Sequence, residues 1–334
     1  MRVERIGQDA WADALPTSGV EVFHDPAALS VLGEHASGDL ELYAGYKGEQ
    51  PIALLPVVVR RRAVGTTVLS PPPGLGVPRL GPVLMPTSPK RRKQEKVNRE
   101  FTERVTGAIG VESPTTLFRM VCGAAYADPR PYVWSDFDVA TEFTYRLDVA
   151  SRSLSDVRAS FSKSLRREIG DAEELDVTVS REGLDGAKAV YEDTRDRYRE
   201  QGRGFPLTWA YVRDLLGALS DRARVYVARD AGGAFVGGIT VLYSPDAAYF
   251  WQGGARSVHE GVSVNSLLHW RVIEDVAEDP PLSSVTAYDL MGANTERLCR
   301  YKSKFGADLV PYYTVETKGK PMGVAKRAYQ LVAR

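Results

Sequence analysis

The chain has 334 residues, long enough for two domains of ordinary size, with 43% hydrophobic and 26% charged residues, the balance of a folded globular protein. Lys plus Arg equals Asp plus Glu at 43 each, which excludes a broad polycationic surface for nucleic acid or anionic lipid. The longest apolar run, Ile52 to Val59, has the length of a strand and not of a membrane span, and no apolar leader follows Met1.

Taken in order, Leu40 to Gly45 alternates like a strand, Lys47-Gly48-Glu49-Gln50 reads as a turn, and Pro51 to Val59 returns. The stretch Ser70 to Pro89 is dense in proline and glycine, which predicts a semi-rigid loop, either the wall of a site or a structural excursion. A helix is predicted over Lys90 to Gly110, opened by the solvated charge run Lys90-Arg91-Arg92-Lys93, and a strand over Thr116 to Cys122. Ala127-Asp128-Pro129-Arg130-Pro131 breaks regular structure, Thr144 to Val149 reads as an entry strand, and one helix is predicted over Ser155 to Leu175. Asp193 to Arg199 closes a further helix before the Gly/Pro turn that contains Phe205.

The second half then repeats the first. Arg224 to Arg229, the turn Asp230-Ala231-Gly232-Gly233, and Ala234 to Tyr243 form a hairpin; Val264 to Asp279 is a helix and Ser284 to Leu290 a strand. The shared order of hairpin, further strand, helix and strand predicts two similar mixed α/β domains, residues 1–140 and 141–334.

Two motifs close the reading. Tyr288-Asp289-Leu290-Met291-Gly292-Ala293 is a strand ending in a carboxylate and a small-residue turn, and Tyr301-Lys302-Ser303-Lys304-Phe305-Gly306 places two cations between two aromatics. An unpaired ammonium is costly in an apolar core, so this pattern predicts a cleft where an anion meets a planar group. The pair resembles the C-terminal signature of the FemAB-like branch of the GNAT acyltransferase superfamily, in which a Tyr-Asp-Leu/Phe-Gly-Gly/Ala strand precedes Phe-Lys-x-x-Phe-Gly. Lys302, Phe305 and Gly306 match, and Tyr301 replaces the usual Phe. The branch also has an Arg-x-x-Ile-x-x-Ala helix early in its second domain, which Arg166 or Arg167, Ile169 and Ala172 fit.

The resemblance implies α/β architecture with two tandem GNAT-like domains, each a mixed, mostly antiparallel sheet flanked by helices, and a cytoplasmic N-acyltransferase. Lys302 is then the electrostatic candidate for the developing oxyanion or a phosphate, and Asp289 orients a lysine, accepts a proton, or serves as a strand-end turn or helix-cap residue. Tyr301, Lys304, Phe305, Tyr288, Tyr198, Phe205 and Arg167 are candidates to bind the acceptor. The phosphate loop of acyl-coenzyme A-dependent members corresponds to Gly253 to Ser266, where Arg256, Gly261, Ser263 and Asn265 are candidate donor-binding residues but the glycine spacing departs from the usual loop. Acyl-CoA and aminoacyl-tRNA remain rival co-substrates, with no permanently bound cofactor. A nucleotide-linked sugar, a peptide or a similar small molecule is the acceptor class, and a tRNA acceptor end is a possible partner. A non-catalytic module that binds a nucleotide or peptide in the same cleft is the alternative. The four histidines are scattered without ligand spacing, and the two cysteines stand alone, so no metal site is predicted.

Overall fold

The computed structural model, which describes residues 1–254 and 257–318, divides into two units. One comprises Met1–Glu142 with the segment from Pro311 onward, the other Phe143–Val310. The predicted division at 140/141 therefore differs from the observed one at its far end, where the chain passes back to the first unit within its last strand.

The first unit contains β1 (Arg2–Ile6), α1 (Gln8–Ala14), α2 (Pro26–His35), β2 (Asp39–Lys47), β3 (Gln50–Arg62), β4 (Gly65–Ser70), β5 (Val83–Leu84), α3 (Arg91–Ile109), β6 (Thr116–Val121) and α4 (Arg130–Trp134). β1 to β4 pair antiparallel in sequence order, β6 pairs parallel with β4, and β5 pairs with β3. The apolar run of β3 is explained by burial on both faces. Leu54 packs with Trp11, Leu29 and Leu42, whereas Leu55, Val57 and Val59 pack with Phe101 and Val105 of α3. Each such buried side chain contributes roughly 1.5–3 kcal/mol.

The second unit is entered within β7 (Phe137–Asp148). It continues with α5 (Leu154–Ser160), α6 (Lys163–Glu173), β8 (Val177–Glu182), α7 (Leu184–Glu200), α8 (Trp209–Leu219), β9 (Ala223–Asp230), β10 (Phe235–Tyr243) and β11 (Ala247–Gly253). The small hairpin β12 (Val258–His259) and β13 (Val262–Ser263), α9 (Asn265–Glu278), β14 (Ala287–Asp289), α10 (Glu296–Lys302) and β15 (Asp308–Thr317) complete it, with the end of β15 pairing antiparallel to β6 in the first unit's own sheet. The second sheet runs β7-β14-β11-β10-β9-β8, antiparallel except for the parallel pair β11 and β14. Both units thus send an antiparallel meander through one helix to a parallel return strand, the plan the sequence predicts. The fold is mixed α/β, with two GNAT-like domains in tandem.

Two predicted elements differ. The single helix expected over Ser155 to Leu175 is broken into α5 and α6, because Ser162 adopts extended backbone and its side chain caps Leu165 N. The break turns Phe161 inward, edge-on to Trp270 and Phe305 at 5.8 and 5.5 Å between ring centroids. The strand expected over Ser284 to Leu290 pairs only over Ala287–Asp289. The Pro/Gly loop after β4 walls one side of a cavity of about 550 Å³, where Pro82 to Thr87 face Arg91, Asn98 and Tyr126.

Candidate active site

The two parallel strands of the second unit part company. β11 and β14 pair at Ala247↔Ala287, Ala248↔Tyr288 and Tyr249↔Asp289. β11 then continues to Gly253 alongside β10, while the chain after β14 leans to β7, with Leu290 N donating to Tyr145 O and Ala293 N to Phe143 O, both at 2.9 Å. A fork opens between Phe250–Gly253 on one side and Leu290–Ala293 on the other.

The second motif holds the fork's outer arm. Asp289 is buried and accepts from Thr144 Oγ1 at 2.5 Å and from Met291 N at 2.8 Å. Met291 and Gly292 both take positive φ, 57° and 49°. Lys302 reaches this turn from α10, donating to the carbonyls of Met291 and Gly292 and lying 5.8 Å from the centre of the Phe250 ring. Its side chain was expected in an open, anion-accessible cleft; instead the residue is only 6% exposed and bound to backbone oxygens. Burial lowers its pKa to about 8, although the Asp289 charge opposes the shift. Asp289 closes the turn after β14, and both residues bind the backbone that shapes the fork.

Lys304 is likewise engaged, as an ion pair with Glu168 of α6 at 2.7 Å. Glu168 also accepts from Ser266 Oγ at 3.0 Å; Ser266 lies 3.3 Å from the Tyr301 hydroxyl, and that hydroxyl accepts from Asn265 Nδ2 at 2.8 Å. The groups form one hydrogen-bonded line from the start of α9 to a half-buried carboxylate. Burial raises the pKa of Tyr301, which keeps its hydroxyl neutral at ordinary pH.

Behind them lies an aromatic box around His269. Its ring contacts Phe250 at 4.7 Å and Phe305 at 5.4 Å between centroids, and Nδ1 pairs with the Tyr288 hydroxyl at 2.8 Å. Burial, assisted by the Lys302 charge, lowers the His269 pKa to about 3, so the imidazole is neutral at ordinary pH. Tyr288, Tyr301 and Phe305 are therefore core or partly buried walls of this box. Tyr288 and Phe305 are fully enclosed, not open stacking platforms.

The start of α9 closes the inner arm. No side chain caps it: the position before its first residue is Val264, and neither Ser263 nor Asn265 accepts a hydrogen bond from its first amides. Asn265 instead turns to Tyr301, leaving its Oδ1 without a partner. That oxygen lies 2.6 Å from where a Cβ on Gly254 would stand, so glycine is required there. Gly261 belongs to the two-residue turn of the β12–β13 hairpin, with Glu260 and Gly261 both at positive φ, 49° and 81°. Its glycine is explained by that turn without a phosphate. Arg256 lies outside the described residues.

The remaining candidates are elsewhere. Tyr198 and Phe205 pack against each other with ring centroids 5.0 Å apart and planes tilted by 60°, and the Arg203 guanidinium lies 4.9 Å from the Tyr198 ring centre. Arg167 is 80% exposed beside Asp171 and is not brought to the fork. Sequence reasoning passed over Thr240, Gln252, Glu168, Ser266 and His269. The one available signal was Gln252, an amide closing the apolar stretch Tyr249-Phe250-Trp251.

Comparison with known proteins agrees with this fold. Residues 158–303 match the family model of the acetyltransferase (GNAT) domain, a span that contains β11, α9, β14 and α10. Among solved structures the chain is similar to FemX, at 10% identity, with all of both chains covered and a TM-score of 0.66. It is also similar to L-PGS from Bacillus licheniformis, at 14% identity, covering 98% of this chain and 96% of that one, TM-score 0.56. A tandem GNAT protein from the clavulanic acid biosynthesis pathway aligns at 13% identity over 96% and 99% of the two chains, TM-score 0.50. No curated protein sequence matches the chain. Among the described residues no helix is long and apolar enough to cross a membrane.

Proposed function

We propose that this tandem GNAT protein of the FemAB-like branch is an N-acyltransferase whose second domain holds the donor in the fork between β11 and β14, with donor phosphates at the start of α9, and passes the acyl or aminoacyl group to an amine of a nucleotide-linked sugar, peptide or similar acceptor. The observation that carries this reading is the fork itself, set against an uncapped helix start inside the stretch that matches the acetyltransferase domain. A helix start with unclaimed amides favours a phosphate. The strand edge beyond Tyr249, no longer paired with β14, offers backbone N–H groups to an extended chain and to the oxyanion that forms when the amine attacks. In that step a C–N bond forms, the thioester or ester bond breaks, and the amine's proton leaves; the line from Tyr301 through Ser266 to Glu168 supplies a route for it.

The test is donor binding followed by transfer. Acetyl-CoA is titrated calorimetrically into the full chain and into Ser263→Asp, which sets a carboxylate beside the helix start. Repulsion of the donor phosphates should weaken binding by roughly tenfold. Transfer is then followed by mass spectrometry against amino-sugar nucleotides and peptide amines, with an aminoacyl-tRNA as the second donor. Equal binding of acetyl-CoA to both proteins removes the coenzyme A form of the proposal, and binding without transfer to any amine favours the non-catalytic module.

A further inference from the structure

The second sheet buries two polar side chains that nothing among the described residues satisfies. Thr240 on β10 and Gln252 on β11 are register partners, so their side chains leave the sheet on the same face. Thr240 is fully buried and Gln252 is 6% exposed, yet the Thr240 hydroxyl and both Nε2 and Oε1 of Gln252 lack a hydrogen-bond partner. Buried polar groups are paired as a rule, and leaving an amide unpaired costs the whole of its desolvation. Leucine or methionine would fill the same space without that cost. The unpartnered Asn265 Oδ1 lies at the same end of β11, against Gly254.

The geometry points to Gln252, assisted by Thr240, as the reader of a secondary amide in an extended substrate chain, a role that rests on the acyl-transfer reading above. The N–H of one amide donates to Oε1, and the carbonyl of the next amide along the extended chain, which faces the same side, accepts from Nε2 and from the Thr240 hydroxyl. A carboxylate or phosphate would satisfy Nε2 but set an acceptor against Oε1, and an ammonium would do the reverse. An extended chain that presents an N–H and the next amide's carbonyl on one side serves both. An extended chain is favoured over a nucleobase because the edge of β11 beyond Tyr249, no longer paired with β14, offers backbone partners along its length. Such amides occur in the pantetheine arm of an acyl-CoA donor and in a peptide acceptor.

Gln252→Met keeps the side chain's length and removes its polarity. The probes are acetyl-CoA, pantetheine, an N-acetylated alanyl-alanine methylamide, and that peptide with its central amide replaced by an ester. Binding is measured by calorimetry, and the Gln252 side-chain ¹⁵N signals, assigned by their loss in the variant, are followed by NMR. An amide probe should move those signals and bind roughly tenfold more weakly to Gln252→Met, a variant whose own melting temperature is unchanged or higher. A response to acetyl-CoA and pantetheine places the amide in the donor arm, and a response to the peptide places it in the acceptor. For the peptide, the ester should lose affinity toward the wild type and lose nothing further toward the variant. Thr240→Val gives a second, smaller loss and keeps the test alive if Gln252→Met misfolds. If acetyl-CoA binds both proteins alike and no probe moves the Gln252 signals, the amide site is overturned and acyl transfer stands. If no donor binds but the peptide still moves them, the amide site stands and acyl transfer falls.

Discussion

The two domains share one plan and treat its central gap in opposite ways. In the first, the chain leaving β4 doubles back: Leu80 bridges to Cys122 in parallel, Leu80 N donates to Val121 O at 2.9 Å, and Gly81 N donates to Ser70 Oγ at 3.0 Å. Buried Arg79 then closes on buried Glu21 with two contacts of 3.2 Å, and Glu21 also accepts from Ala124 N at 2.8 Å. Burial pushes the Glu21 carboxyl up, but the Arg79 charge and the Ala124 amide outweigh it and hold it below the usual range. In the second domain the matching gap stays open, and Thr240, Gln252 and Asn265 retain unpartnered atoms around it. The first gap is filled by paired groups, whereas the second is bordered by buried polar atoms with no partner among the described residues.

The strongest way to break this comparison is Arg79→Met. It strands a buried carboxylate and should cost about 3–5 kcal/mol in urea or guanidinium unfolding, with most of the loss recovered in the Arg79→Met/Glu21→Gln double variant. A single-variant cost under about 1 kcal/mol would mean that the pair is solvated and the first gap is not sealed.

Next comes Lys302. Below about pH 8 its ammonium is charged both folded and unfolded, and the cost of burial is felt in full; between about 8 and the ordinary value near 10.5 the folded protein releases the proton while the unfolded chain keeps it. The residue's contribution to stability therefore improves as pH rises through that window, by about 3 kcal/mol in all. Urea midpoints of wild type and Lys302→Met, taken near neutral pH and near about pH 10, should shift relative to each other in favour of the wild type at the higher pH. A constant difference would show that the lysine is solvated in solution.

The smallest effect belongs to Arg167→Ala. Its guanidinium is exposed beside Asp171 at 3.8 Å, so stability should stay within about 0.5 kcal/mol and acetyl-CoA affinity should not change. A clear loss of affinity would extend the donor site onto α6.

Much of the fold was legible because it is written in local patterns. The turns at Lys47–Gln50 and Asp230–Gly233, and the apolar face of the helix over 264–279, fix β2–β3, β9–β10 and α9 to within a few residues. β4 and β11, the strands that border the two gaps, received no range of their own from the sequence. The site was legible as a neighbourhood and not as a set of roles. Lys302 was read as a cleft cation because an ammonium is costly in the core; what spares it is a pair of carbonyls at a positive-φ turn, which no spacing rule reports. Thr144 meets Asp289 across 145 residues and Glu168 meets Lys304 across 136, so these partnerships exist only once the sheet and helices have assembled.

The strand that completes the first domain comes from the far end of the chain. Thr314 to Glu316 of β15 pair with Arg119 to Val121 of β6, and the Thr317 hydroxyl accepts from Phe118 N across 199 residues. During synthesis at the ribosome, β6 is therefore exposed as a bare strand edge until the whole second domain has emerged. The nascent first domain therefore lacks this last strand pairing until everything in between has been translated.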